Sequence, residues 1–117
     1  MNTSYFAINA NHPNAVSICG KAPDWYKGKQ YKKLAPTFEI FSKYKSSNQT
    51  LEDEEEYTRE FIKQRLNILD PKEVYKELGE DAVILCYETS EKFCHRHIVA
   101  KWLSESLGID IQEIKKV

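Results

Sequence analysis

The stretch "AVILCYETSEKFCHRHIVAKWL", residues 82–103, decides the fold. It opens with five apolar residues in a row, Ala82 to Cys86. An unbroken apolar run of that length suits a strand covered on both faces, as in a parallel sheet. Its second half repeats apolar residues at helical spacing: Ile98, Val99, Trp102, Leu103 and Leu107 share one side, and Gly108 ends the run. A buried strand leading into an amphipathic helix is the unit of a layered α/β protein. In such sheets ligands gather at the carboxyl ends of the strands, where helix amides and dipoles favour an anion.

Upstream, "SYFAI" (residues 4–8) and "AVSIC" (15–19) read as further strands, separated by the turn-forming "NHPN". The fifteen residues after Gly20 have no clean period, and irregular chain of that length inside a small domain is more often functional than accidental. Pro36 suits the first turn of a helix carrying Phe38, Ile40, Phe41 and Tyr44. A longer helix is expected from about Glu52 to Leu69, with Tyr57, Phe61, Ile62, Leu66 and Leu69 as its stripe and Arg65 inside it. Asp70 and Pro71 start a short helix that stops at Gly79, and "IDIQEI" (109–114) is a candidate last strand. The expectation is a small three-layer α/β domain over residues 1–117, with a mostly parallel sheet and flanking helices.

Composition bounds the function. The 117 residues are 41% hydrophobic and 30% charged with four Gly and four Pro, which describes an ordered globular chain. The net charge of −1 argues against the whole surface attracting polyanions. Seven lysines between Lys21 and Lys45, followed by "EDEEE" at 52–56, nevertheless give opposed charged faces, the basic one able to meet an anion. The start has no basic n-region and long apolar run, and no segment reaches the ~20 apolar residues of a membrane helix. Cys19, Cys86 and Cys94 are therefore expected as free thiols in the cytoplasm.

Within "CHRH", ~100° per residue puts Cys94 and His95 on the inward face, Arg96 at its edge and His97 in solvent. Arg96 offers a planar fork suited to phosphate or carboxylate. The plainer alternatives are that Cys86 and Cys94 only pack, that His95 is a satisfied core histidine, and that Arg96 pairs with Glu88 or Glu91. A zinc site from Cys86, Cys94, His95 and His97 is disfavoured, because adjacent helical side chains diverge and no C-x-x-C spacing occurs. No metal or cofactor is expected. An inward Arg65 needs an anionic partner, either Glu88 or a bound anion; otherwise it snorkels from the helix margin. The lysine-aromatic segment from Trp25 to Tyr44 has a nucleic-acid reading, although Phe38, Phe41 and Tyr44 are expected in the core. Lys21, Trp25 and Tyr26 stay open.

"TSYFA" (3–7), "VSICGKAPDWYKG" (16–28), "YKKLAP" (31–36) and "ILCYETSEKFCHRHIVAKWL" (84–103) together resemble the domain-of-unknown-function 488 family, in its short stand-alone branch found in bacteria and their phages. The resemblance spans nearly the whole chain. It implies a compact three-layer α/β fold and a signature that includes Glu88, Cys94, His95 and Arg96. It also implies a Y-x-x-x-Y helix pattern opened by Tyr57, whose second aromatic is Phe61 here. It implies no reaction.

Three functions are in play. The first is binding of an anionic, phosphate-bearing small molecule, a nucleotide among the candidates. Cys94, His95 and Arg96 would hold the anion, Lys21 and Arg65 would close over it, and Glu88 would orient Arg96 or accept a ligand hydroxyl. The second is an enzyme with Cys94 as nucleophile and His95 moving its proton. The third is a nucleic-acid-associated module, whose binding would weaken with salt.

Overall fold

The computed structural model describes residues 1–114. Five parallel strands form one sheet in the order β3 (Lys29–Gln30), β2 (Ala15–Ser17), β4 (Val83–Cys86), β1 (Asn2–Tyr5) and β5 (Gln112–Glu113), so the run that decided the fold, β4, is its centre. All four β4 residues are buried. β1 (Asn2–Tyr5) pairs on one side, with Tyr5 opposite Cys86, and β2 (Ala15–Ser17) on the other, with Ser17 opposite Leu85. Fully burying aliphatic side chains such as Ile84 and Leu85 stabilises by roughly 1.5–3 kcal/mol each. α5 (His95–Leu107) packs on β4 and β1, α4 (Pro71–Leu78) on α5, and α2 (Phe38–Ser46) on α3 (Leu51–Phe61). The fold is a single-domain α/β layer, as the β4–α5 unit predicts.

Several local expectations shift, each for a physical reason. "SYFAI" stops being a strand at Tyr5, where its partner β4 also ends. Phe6–Asn9 then turns into the short α1, with the Ser4 hydroxyl donating to Asn9 Oδ1 at 2.5 Å across the bend. The irregular segment hides a two-residue edge strand, β3 (Lys29–Gln30), and a 3-10 turn at Lys32–Leu34. Thr37, not Pro36, opens α2, its side chain accepting from the Ile40 amide. Only Ile40 of α2 is buried; Phe38 is 83% exposed and Phe41 45%, so these two aromatics are not core. Tyr26 is core and donates to the Lys29 carbonyl at 2.8 Å, whereas Trp25 lies outside, edge-on to Phe6.

The expected helix from Glu52 to Leu69 is two pieces. α3 begins with a reciprocal capping box between Thr50 and Asp53, then gives way to a π turn at Ile62–Leu66. Within that turn Arg65 is half-buried with its Nε enclosed, and its Nη2 donates to the carbonyls of Lys32 and Lys33 at 3.0 and 3.1 Å. Asp70 caps α4 as predicted, accepting from the Lys72 amide. The expected last strand contracts to β5 (Gln112–Glu113), paired with Asn2 and Thr3. No helix among the described residues is long and apolar enough to cross a membrane.

Gly79, at the end of α4, has φ 95° and ψ 141°, a conformation open almost only to glycine. Gly79→Ala is therefore expected to destabilise by roughly 1–3 kcal/mol although no atom crowds the position. Urea denaturation measures it; a midpoint equal to wild type contradicts the strain.

Candidate functional site

Three elements deliver the site to one end of the sheet. Cys19 follows β2, Cys86 ends β4, and Cys94 is the extended residue (φ −155°, ψ 146°) on which α5 starts. All three thiols and His95 are buried, yet all four line a cleft of about 820 Å³. Phe38 and Phe41 from α2, with Tyr87 after β4, form exposed aromatic walls at its mouth. A concave space of this size lined mainly by apolar groups, with a few converging polar ones, suits a small molecule.

His95 is the hinge of the arrangement. Its Nε2 lies 2.8 Å from the Ile18 carbonyl oxygen. A carbonyl only accepts, so Nε2 carries the proton and Nδ1 is left for the thiols. Cys94 Sγ is 3.9 Å from Nδ1. Cys86 Sγ is 3.6 Å from both ring nitrogens, so it lies alongside the ring rather than in line with either lone pair. Phe61 packs edge-on against the imidazole at 5.7 Å.

The thiols do not titrate alike. Cys94 lies well below the ordinary thiol range, chiefly because the Cys86 thiol donates to it. Burial opposes this, and His95 and the Arg96 main-chain N–H pull further down. Cys86 is pushed well above that range, first by complete burial and then by its two sulfur neighbours. Cys19 is lowered, again first by Cys86, with burial opposing. Burial pushes His95 down, but the bond to Cys94 and the thiolate charge outweigh it, and the imidazole is raised. These directions favour a Cys94 thiolate beside an imidazolium, with Cys86 as a thiol donor.

The residues singled out in the sequence divide. Cys94 and His95 meet at the cleft floor, and Lys21 and Glu88 line the cleft above them. Glu88 is engaged with Lys45 at 3.4 Å and does not orient Arg96. Two assignments are corrected. Arg96 is wholly buried and does not line the cleft; its Nε and Nη2 make a two-pronged pair with Glu113 at 3.1 and 2.8 Å. Neither Glu88 nor Glu91 is its partner. Arg65 braces the 3-10 turn and is also away from the cleft. His97 is half-buried, not solvent-facing, and its Nε2 is enclosed with no hydrogen-bond partner among the described residues.

Glu113 and Cys19 are the residues that sequence reasoning missed. Glu113 also accepts from the Thr3 hydroxyl at 2.6 Å, and the guanidinium of Arg96 lies 5.9 Å from the centre of the Tyr5 ring. Burial pushes the Glu113 carboxyl up, but Arg96 and Thr3 hold it down at about 2. The only signal for Cys19 was its place at the carboxyl end of a predicted strand.

The donor atoms of Cys19, Cys86 and His95 fall within 4.8 Å of one another, close enough to raise the question of a metal. A sulfur sharing an ion with Nδ1 would lie beyond that nitrogen and far from Nε2. Cys86 Sγ is instead equidistant from the two. The cluster is laid out for proton sharing among thiols rather than as a tetrahedral cage.

The family model DUF488-N3a, described as the active DUF488-N3 subclade, matches residues 8–107. Comparison with curated proteins and with solved structures gave no significant match.

Proposed function

The chain belongs to the DUF488 family, and from that premise we propose that it is a small cysteine-dependent enzyme with Cys94 as its nucleophile. The observation that carries the reading is the Cys94 thiol at the start of α5, on the floor of the cleft, with His95 Nδ1 3.9 Å away. Such a thiol is activated by its neighbours and by the positive end of the helix. Cys94 would attack the electrophilic atom of a bound small molecule, and His95 would return a proton to the leaving group. The description of the matching family as an active subclade agrees with chemistry rather than binding alone.

The substrate class proposed is an anionic small molecule. Its charge would meet the positive end of the thirteen-residue α5, with Lys21 above, and its planar part would rest on Phe38 and Phe41. A phosphate-bearing ligand, nucleotides included, fits this description. The chemistry needs reduced thiols, so the cytoplasm is the proposed site of action. A second reading, anion binding without covalent chemistry, is favoured by one fact: Cys94 is only 7% exposed.

Alkylation by an anionic and a neutral reagent tests both parts. Iodoacetate is expected to gain on iodoacetamide at Cys94 in the folded chain, relative to the same ratio in the urea-unfolded chain, and Lys21→Ala is expected to reduce that gain. An unchanged ratio removes the anion site. Absence of any Cys94 labelling in the folded chain leaves only the binder.

A further inference from the structure

The proposed reaction uses one thiol, and the cleft floor holds three. Cys86 is 1% exposed and touches His95, and Cys19 Sγ lies within 4.8 Å of it and of a His95 ring nitrogen. Packing alone asks for no thiol here, since any small apolar side chain fills such a place. What sets Cys86 apart is its position: it is the least exposed of the three thiols, and its sulfur and that of Cys94 lie 3.6 and 3.9 Å from the same His95 Nδ1.

We propose that Cys86 is a resolving thiol, which displaces a sulfur substituent from Cys94 and closes a Cys86–Cys94 disulfide, so that the substrate class of the cleft is a small anionic disulfide. This rests on the reading of Cys94 as nucleophile. In the first step the Cys94 thiolate attacks one sulfur of R–S–S–R′. A Cys94–S–S–R bond forms, the S–S bond of the substrate breaks, and R′S⁻ leaves with the proton of the His95 imidazolium. Neutral Nδ1 then takes the proton from Cys86 as that thiol swings from beside the ring into line with the nitrogen and its sulfur attacks Cys94 Sγ. The S–S bond between Cys94 Sγ and SR breaks and RS⁻ leaves, taking that proton. The substrate is reduced to two thiols, the protein is oxidised to a disulfide, and a low-molecular-weight thiol in solution returns it to the dithiol. The raised thiol of Cys86 fits the order of events, because it stays protonated until the Cys94 charge has been consumed. Closing the bond brings the two sulfurs to ~2.05 Å from positions 3.6 and 3.9 Å from the same imidazole nitrogen.

The probe is 5,5′-dithiobis(2-nitrobenzoate), an anionic aromatic disulfide. The wild-type chain is expected to release two equivalents of thionitrobenzoate through Cys94, retain no adduct there, and yield a Cys86–Cys94 cross-linked peptide. Cys86→Ser is expected to stop after one equivalent, with the nitrobenzoate kept on Cys94, and Cys19→Ser is expected to resolve as wild type does. Wild-type protein that keeps the adduct on Cys94, or that joins Cys94 to Cys19, overturns the assignment of Cys86 while leaving the nucleophile intact. No release from Cys94 overturns the nucleophile itself, and the resolving step with it. The wild-type result decides the matter even if a serine variant fails to fold.

Discussion

Glu113→Ala is expected to cost the fold roughly 3–5 kcal/mol, because it strands a buried guanidinium. Arg96 has no exposed surface, and two of its nitrogens are committed to the Glu113 carboxylate. Replacing both partners, as Arg96→Met with Glu113→Leu, is expected to lie much closer to wild type, since a buried pair exchanged for apolar side chains is often neutral. Urea midpoints of the single and double variants read the difference. A single variant as stable as wild type contradicts the buried pair. The pH dependence has a definite sign. The folded Glu113 carboxyl is held at about 2 against an ordinary 4.5. Its contribution is therefore fully present above about pH 4.5 and is lost as pH falls through about 2. Glu113→Gln is expected to flatten that part of the acid-stability curve. Arg96→Ala, which an anion-holding fork would leave folded, is now expected to destabilise the protein.

The second large effect is expected at His95. Glutamine there can still donate to the Ile18 carbonyl, as Nε2 now does, but it cannot carry the charge that pairs with Cys94. His95→Gln is expected to raise the Cys94 thiol toward its ordinary range. Each unit by which the thiol rises above the working pH cuts the thiolate about tenfold, while the more basic sulfur gains nucleophilicity, for a net loss of roughly three- to fourfold per unit in that range. Alkylation rate at Cys94 measures this alongside a thermal melt of the same variant. A folded His95→Gln protein labelled as fast as wild type shows that the imidazole does not activate Cys94.

The central strand and the helix after it were legible because both obey local rules. Val83 to Cys86 are buried on both faces, and His95, Val99 and Leu103 recur every four residues on the inward side of α5. What failed was whatever depended on distant chain. Arg96 looked like an edge residue with a free fork because helical phase alone does not report a carboxylate seventeen residues later, on a two-residue strand. Cys19 joined the site only through the parallel register of β2 and β4. Arg65 meets the carbonyls of Lys32 and Lys33 rather than a carboxylate or a bound anion, a contact with distant chain that no periodicity foresaw. Phe38 and Phe41 had the spacing of core residues, but they wall a cleft, because α2 buries only Ile40.

The nucleophile itself is tested most directly by following iodoacetamide labelling of Cys94 against pH, by peptide mass. The account predicts an inflection well below the ~8.5 of a free thiol, with Cys94 labelled at neutral pH and Cys86 untouched. Labelling of Cys94 only at alkaline pH, no faster than in the unfolded chain, would contradict it.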